Sequence, residues 1–188
     1  MTHRSFGKRG SKLLASRTLD DLAGSVIHQR YIDAAKAASA AFTRAGIHHV
    51  LVGGLAVGVR GYERATGDVD FLVGEEAFDH HGLIVSPKAG LPIRYGTVTI
   101  DWVSMEPNDQ MVLDSFLEMP AGDEVPVIPI EALVYMKLVA SRRKDLADVV
   151  ELVKAGIDVA KVRKYLKEIG RYAAEFDHLV GEAEEEGR

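Results

Sequence analysis

No cysteine occurs in the 188 residues, which excludes disulfides, thiolate zinc sites and cysteine nucleophiles. The same absence fits a reducing, cytoplasmic setting. No stretch approaches the roughly 18–20 uninterrupted apolar residues of a membrane span, and the N-terminus lacks the apolar run of a signal peptide, so no membrane partner is expected. A basic excess is missing as well: 23 lysines and arginines against 28 acids leave a net charge of −5, which argues against a broad nucleic-acid surface. There is no internal repeat and no clear linker. The bulk composition, 47% apolar and 27% charged, is that of a folded soluble chain of about one domain, long enough to bury a sizeable core.

Charge is unevenly spread. Residues 1–17 carry five basic groups (Arg4, Lys8, Arg9, Lys12, Arg17) and no acid, and read as a flexible basic arm. Residues 63–131 hold fourteen acids against three bases, whereas residues 137–171 hold ten bases against five acids. An acidic middle beside a basic C-terminal part suits a site whose metal ligands and phosphate ligands come from different segments. Solvated helix faces give the same pattern.

Apolar spacing predicts a helix from Thr18 to Ala45, closed by Gly46. A strand His49–Val52 runs into Gly53-Gly54, followed by a helical segment Leu55–Arg60 and a strand Val69–Val73. Gly74-Glu75-Glu76 opens a turn and short helix, and residues 81–96 read as loop with short strands. Tyr95–Val103 alternates as a strand, and Val125–Ile128 reads as an edge strand because Pro126 cannot donate to a ladder. Helices then span Pro129–Ser141 and Asp145–Lys154, with a last helix or pair from Asp158 onward. The domain plan is a core over 18–128, a C-terminal helical part over 129–181 and an acidic, frayed tail over 182–188. The fold class is α/β or α+β.

Chemistry concentrates in Leu51–Val73, LVGGLAVGVRGYERATGDVDFLV. Glycines where a strand enters a helix let backbone N–H groups approach a phosphate, and the helix start adds partial positive charge. Asp68 and Asp70 sit at i and i+2 of a strand, on one face with Cα atoms about 6.5 Å apart, so they can converge on a hard divalent cation. Alternation puts Asp101 with Thr97 and Thr99, opposite Val98, Ile100 and Trp102, where it could supply a third carboxylate. Lys137, collared by Tyr135-Met136 and Leu138-Val139-Ala140, reads either as a cation reaching phosphate or as a snorkelling lysine. Arg142, Arg143, Lys144, Asp145 and Asp148 belong to a site or form a charged helix start. Arg60 and Arg64 bind phosphate or solvate their loop. The pairs His48-His49 and His80-His81 point to opposite strand faces, which disfavours a joint metal site.

Together, Gly53-Gly54, Asp68/Asp70 and Asp101 resemble the motif of the nucleotidyltransferase superfamily with the DNA-polymerase-β-like fold. The segment IEALVYMKLVASRRKDLADVVEL resembles the C-terminal motif of abortive-infection (AbiE-type) nucleotidyltransferase toxins and their uncharacterised bacterial relatives. The resemblance runs from about Val50 to Val153, with one departure: Gly54 stands where many members have serine. It implies a mixed sheet flanked by helices and Mg²⁺ (or Mn²⁺) shared by Asp68, Asp70 and Asp101. A nucleoside triphosphate such as ATP would be held by Gly53, Gly54, Arg60, Thr66 and Lys137. Lys137 and Asp145 would join the three carboxylates as catalytic groups. The implied acceptor is an RNA such as a tRNA end, or a protein side chain, and a toxin would have a cognate antitoxin.

Two enzyme rivals fit less well. Glycosyltransferases using Asp-x-Asp usually need a longer chain ahead of the motif, and Gly53-Gly54…Gly58 lacks the spacing of a dinucleotide-binding fingerprint. The alternative from another class is a non-catalytic nucleotide-sensing or partner-binding domain of the same fold.

Overall fold

Period-two alternation, apolar toward one side and acidic or apolar toward the other, builds a sheet with two covered faces. In the computed structural model, which describes residues 17–104 and 125–187, the strands are β1 (His49–Val52), β2 (Asp68–Val73), β3 (Phe78–His81), β4 (Ile84–Pro87), β5 (Arg94–Tyr95) and β6 (Val98–Ser104). The main sheet has the order β1-β2-β6-β5, and β3 and β4 form a separate antiparallel hairpin. β2 pairs antiparallel with β1 and parallel with β6. The described helices are α1 (Gln29–Arg44), α2 (Gly53–Val59), α3 (Ile130–Ala140), α4 (Arg143–Lys154), α5 (Val159–Ile169) and α6 (Ala173–Glu186). The fold is therefore mixed α/β with a C-terminal helical part, and no described helix is long and apolar enough to cross a membrane.

One sheet face, carrying Leu51, Val69, Phe71, Val98 and Ile100, packs on α1 through Ile32, Ala35 and Phe42. Phe71 and Phe42 meet edge to face at 5.4 Å, and burying each such ring contributes about 1.5–3 kcal/mol. The other face, carrying Val50, Val52 and Leu72, packs on α2 and the C-terminal helices through Leu133, Leu138 and Val149. Asp68 and Asp70 share the parity of Leu72, so they point toward the C-terminal helices. α3 is apolar around almost its whole circumference, the pattern of a core helix, and Ala132, Leu133, Val134, Tyr135 and Leu138 are all buried. Lys137 is carried inside with them.

Several boundaries differ from the sequence reading. The expected helix over Thr18–Ala45 is divided into a 3₁₀ turn at Leu19–Leu22 and α1, with Gly24 at φ +83° between them. Leu22 and Ile27 both pack against Gly58 of α2; five residues apart, they could not share one helix face, so the chain turns. Tyr95 lies on β5 rather than β6, because a two-residue turn with Gly96 at φ +58° folds Tyr95 back onto Val98. Val127 makes a single parallel bridge to Leu51. The Pro126 carbonyl accepts from the Leu51 N–H at 2.7 Å, and the Ile128 N–H donates to the Leu51 carbonyl at 3.1 Å. The expected frayed tail is helical through Glu186, which pairs with Lys154. The basic arm lies outside the described residues apart from Arg17, as does Arg188.

Candidate active site

The register of two parallel strands assembles the acidic group. Asp70 of β2 lies opposite Asp101 of β6, with Asp68 two residues earlier on the same face. One carboxylate oxygen from each lies within 4.8 Å of the other two, the one group among the described residues that could hold a metal ion. All-oxygen donors at this spacing fit a hard divalent cation such as Mg²⁺ or Mn²⁺. Electrostatics agree with the geometry. Burial first, and then the charges of Asp68 and Asp101, push Asp70 up to about 6, against the opposing charge of Lys137 and a hydrogen bond from the Gly54 backbone.

Both glycines make room for side chains of the site. Gly53 has φ +65°, and a Cβ there would stand 1.8 Å from Asp70 Oδ2. A Cβ on Gly54 would come within 2.7 Å of Thr66 Oγ1. Thr66 in turn donates to Asp68 Oδ1 at 3.2 Å. The turn closely approaches Asp70 and Thr66, and the Gly54 backbone hydrogen-bonds Asp70.

A second group in the same cleft is of opposite design. Lys137, 6% exposed, donates to Asp145 Oδ1 at 2.8 Å and Asp148 Oδ2 at 2.7 Å. Arg64 grips Asp148 with two nitrogens, at 2.5 and 2.8 Å. Arg142 donates through Nε to Asp145 Oδ2 at 2.5 Å. Asp145 and Asp148, 0% and 1% exposed, lie three residues apart on the inward face of α4. Burial alone would raise Asp145, but hydrogen bonds from Arg142 and Lys137 outweigh it and hold the carboxyl below its ordinary value. The Asp148 hydrogen bond raises Arg64 further above its already high value.

The two groups share an open cleft of about 810 Å³, lined by Gly53, Gly54, Thr66, the three acids, Lys137, Asp145, Arg64, Arg142 and Lys144 among others. Of the residues that the family resemblance implies at the site, Arg60 is the one that does not line the cleft. Its guanidinium donates to the Val127 and Ile128 carbonyls at 2.7–2.9 Å and fastens that segment beside β1. His49 is buried between Ser39 and the Ile47 carbonyl, while His48 faces Glu76, so the adjacent histidines do not converge. Sequence reasoning missed the pairing of Arg64 with Asp148, 84 positions apart. The available signal was the i, i+3 spacing of Asp145 and Asp148, which puts both on one helix face. Compared with known proteins, no family model and no curated protein matches the chain.

Proposed function

We propose that the protein is a Mg²⁺- or Mn²⁺-dependent nucleotidyltransferase that moves a nucleoside monophosphate from a nucleoside triphosphate to an acceptor hydroxyl. The observation that carries this reading is the placement of Asp68, Asp70 and Asp101, oxygens within 4.8 Å, in a cleft that cationic side chains also line. Three crowded carboxylates without a direct cationic partner cost stability when they ionise together, so a divalent cation is their natural complement. When bound, that cation would lower the pKa of the acceptor hydroxyl and neutralise charge on the phosphates.

The chain's own residues divide the remaining work. Asp68, Asp70 and Asp101 would hold the cation and align the triphosphate beside them. The acceptor hydroxyl gives up its proton to solvent, its oxygen bonds to the α-phosphorus, the α–β bridging bond breaks, and pyrophosphate leaves with the electron pair. Positive charge in the same cleft favours that departure. Asp145 and Asp148 would act as positioning residues, fixing Lys137 and the two arginines before substrate arrives. The family resemblance points to an RNA end such as that of a tRNA, or a protein side chain, as acceptor, and to a cognate antitoxin if the protein is a toxin.

The test is incubation with each radiolabelled nucleoside triphosphate, Mg²⁺ and either total RNA or protein lysate. A labelled RNA or protein band, absent with Asp70→Asn, is the expected result. Nucleotide binding with no labelled product from any triphosphate would instead assign the chain to nucleotide sensing.

A further inference from the structure

We infer that Arg142 and Lys144, at the junction between α3 and α4, grip the polyphosphate tail of the nucleotide, and that Lys137 serves to anchor this grip. The inference deepens the transferase reading and rests on it. Counting donors carries the argument. Lys137 spends two of its three N–H groups on Asp145 and Asp148 and is nearly inaccessible. Arg64 uses Nε and Nη2 on Asp148 and Nη1 on the Ala65 carbonyl. Among the described residues Arg142 is tethered only through Nε, and its side chain is 64% exposed and lines the cleft. Its two Nη groups are left to donate outward, the fork geometry that suits phosphate oxygens. Lys144 is exposed, lines the same cleft and makes no ion pair among the described residues.

Net charge points the same way. Arg64, Lys137 and Arg142 exceed Asp145 and Asp148 by one positive charge, and Lys144 adds a second. That excess lies in the same cleft as the three carboxylates, so a bound cation and a polyanion would meet groups of opposite sign there. Asp145 fixes the direction of Arg142 at no cost in accessibility, because it binds only the Nε edge. Ser141, in left-handed geometry at φ 49°, makes the sharp turn that brings Arg142 and Lys144 to the cleft beside Lys137.

Titration calorimetry of the full chain with Mg²⁺ and, separately, tripolyphosphate, ATP and AMP tests this. Arg142→Gln and Lys144→Gln should each weaken tripolyphosphate and ATP binding about tenfold or more, the size of a charge-assisted hydrogen bond, while AMP affinity stays unchanged. Lys144 has no ion-pair partner among the described residues to orphan, so Lys144→Gln decides the matter if Arg142→Gln fails to fold. Wild-type affinity for tripolyphosphate and ATP in folded variants, or an equal loss for AMP, overturns the inference and leaves the transferase reading standing. A wild-type protein that binds neither ATP nor tripolyphosphate with Mg²⁺ overturns both.

Discussion

Two sets of carboxylates meet at one cleft, and they are held in opposite ways. Asp68, Asp70, Asp101 and Asp145 line it, and Asp148 is joined to it through Lys137. Asp145 is fully buried, yet Arg142 and Lys137 keep it below its ordinary pKa; Asp70 is less buried, yet it is pushed up to about 6. Burial pushes both groups upward, and counter-charge decides whether that rise survives. Asp145 and Asp148 are each bonded by two cations within 2.8 Å, whereas Asp68, Asp70 and Asp101 have mainly one another. The paired set is finished as the chain folds, whereas the other set could hold a metal ion.

The strongest way to break this contrast is to remove one acid from each set. Asp70→Asn should abolish transfer and Mn²⁺ binding, measured by the labelling assay and by calorimetry, and should raise the melting temperature of metal-free protein at neutral pH by relieving repulsion. Asp148→Asn should do the reverse to stability. It strands Arg64 and Lys137 without their shared carboxylate, and breaking a buried ion pair costs about 3–5 kcal/mol, readable by urea denaturation. Equal melting of both variants would show that the two sets do not differ as described.

Local chemistry explains what the sequence made visible. Asp68 and Asp70 share a face because strands have a period of two, and Val69 and Phe71, both at 0% exposure, confirm the parity. The same rule places Asp101 on the face of its strand opposite the buried Val98 and Ile100. The pairing of Asp70 opposite Asp101 depends on the register of β2 against β6, and no local pattern encodes that. Arg64 with Asp148, and Arg60 with the carbonyls of Val127 and Ile128, are long-range pairings formed only when the C-terminal segment docks. The break at Gly24 was hidden for a related reason: apolar spacing continued through it, while the positions of Leu22 and Ile27 against Gly58 set the path of the chain.

A smaller effect separates the two sets by pH. Asp70 binds its proton more tightly in the folded state than its ordinary value of 3.8 allows. The stability this adds is present below about pH 4 and lost as pH rises through about 6. Asp145 has the opposite sign: its contribution is present above the ordinary carboxylate value and lost as pH falls through its lowered one. His49, lowered mainly by burial, also loses stability on acidification, so the useful quantity is the difference between wild type and Asp70→Asn. That difference should grow between pH 4.5 and 7 to on the order of 1–2 kcal/mol after solvent screening, and saturating Mg²⁺ should reverse it. A difference independent of pH would place the Asp70 proton elsewhere.

The finest distinction concerns how each set is oriented. Charged partners aim Asp145 and Asp148, but the direct side-chain donor to Asp68 is a neutral hydroxyl, Thr66 Oγ1, at 3.2 Å, which also reaches the Asp68 carbonyl at 3.3 Å. Groups that orient metal ligands typically account for about 10–100-fold in metal affinity, and a bond this long and shared belongs at the low end. Thr66→Val keeps the shape that fills the space beside Gly54 while deleting the donor. It should weaken Mn²⁺ binding about tenfold, leave the urea midpoint nearly unchanged, and be rescued by Thr66→Ser. Mn²⁺ affinity equal to wild type in Thr66→Val would mean that the turn around Gly53 and Gly54, rather than this hydroxyl, aims the acidic set. Orientation would then come from backbone geometry in one set and from ion pairs in the other.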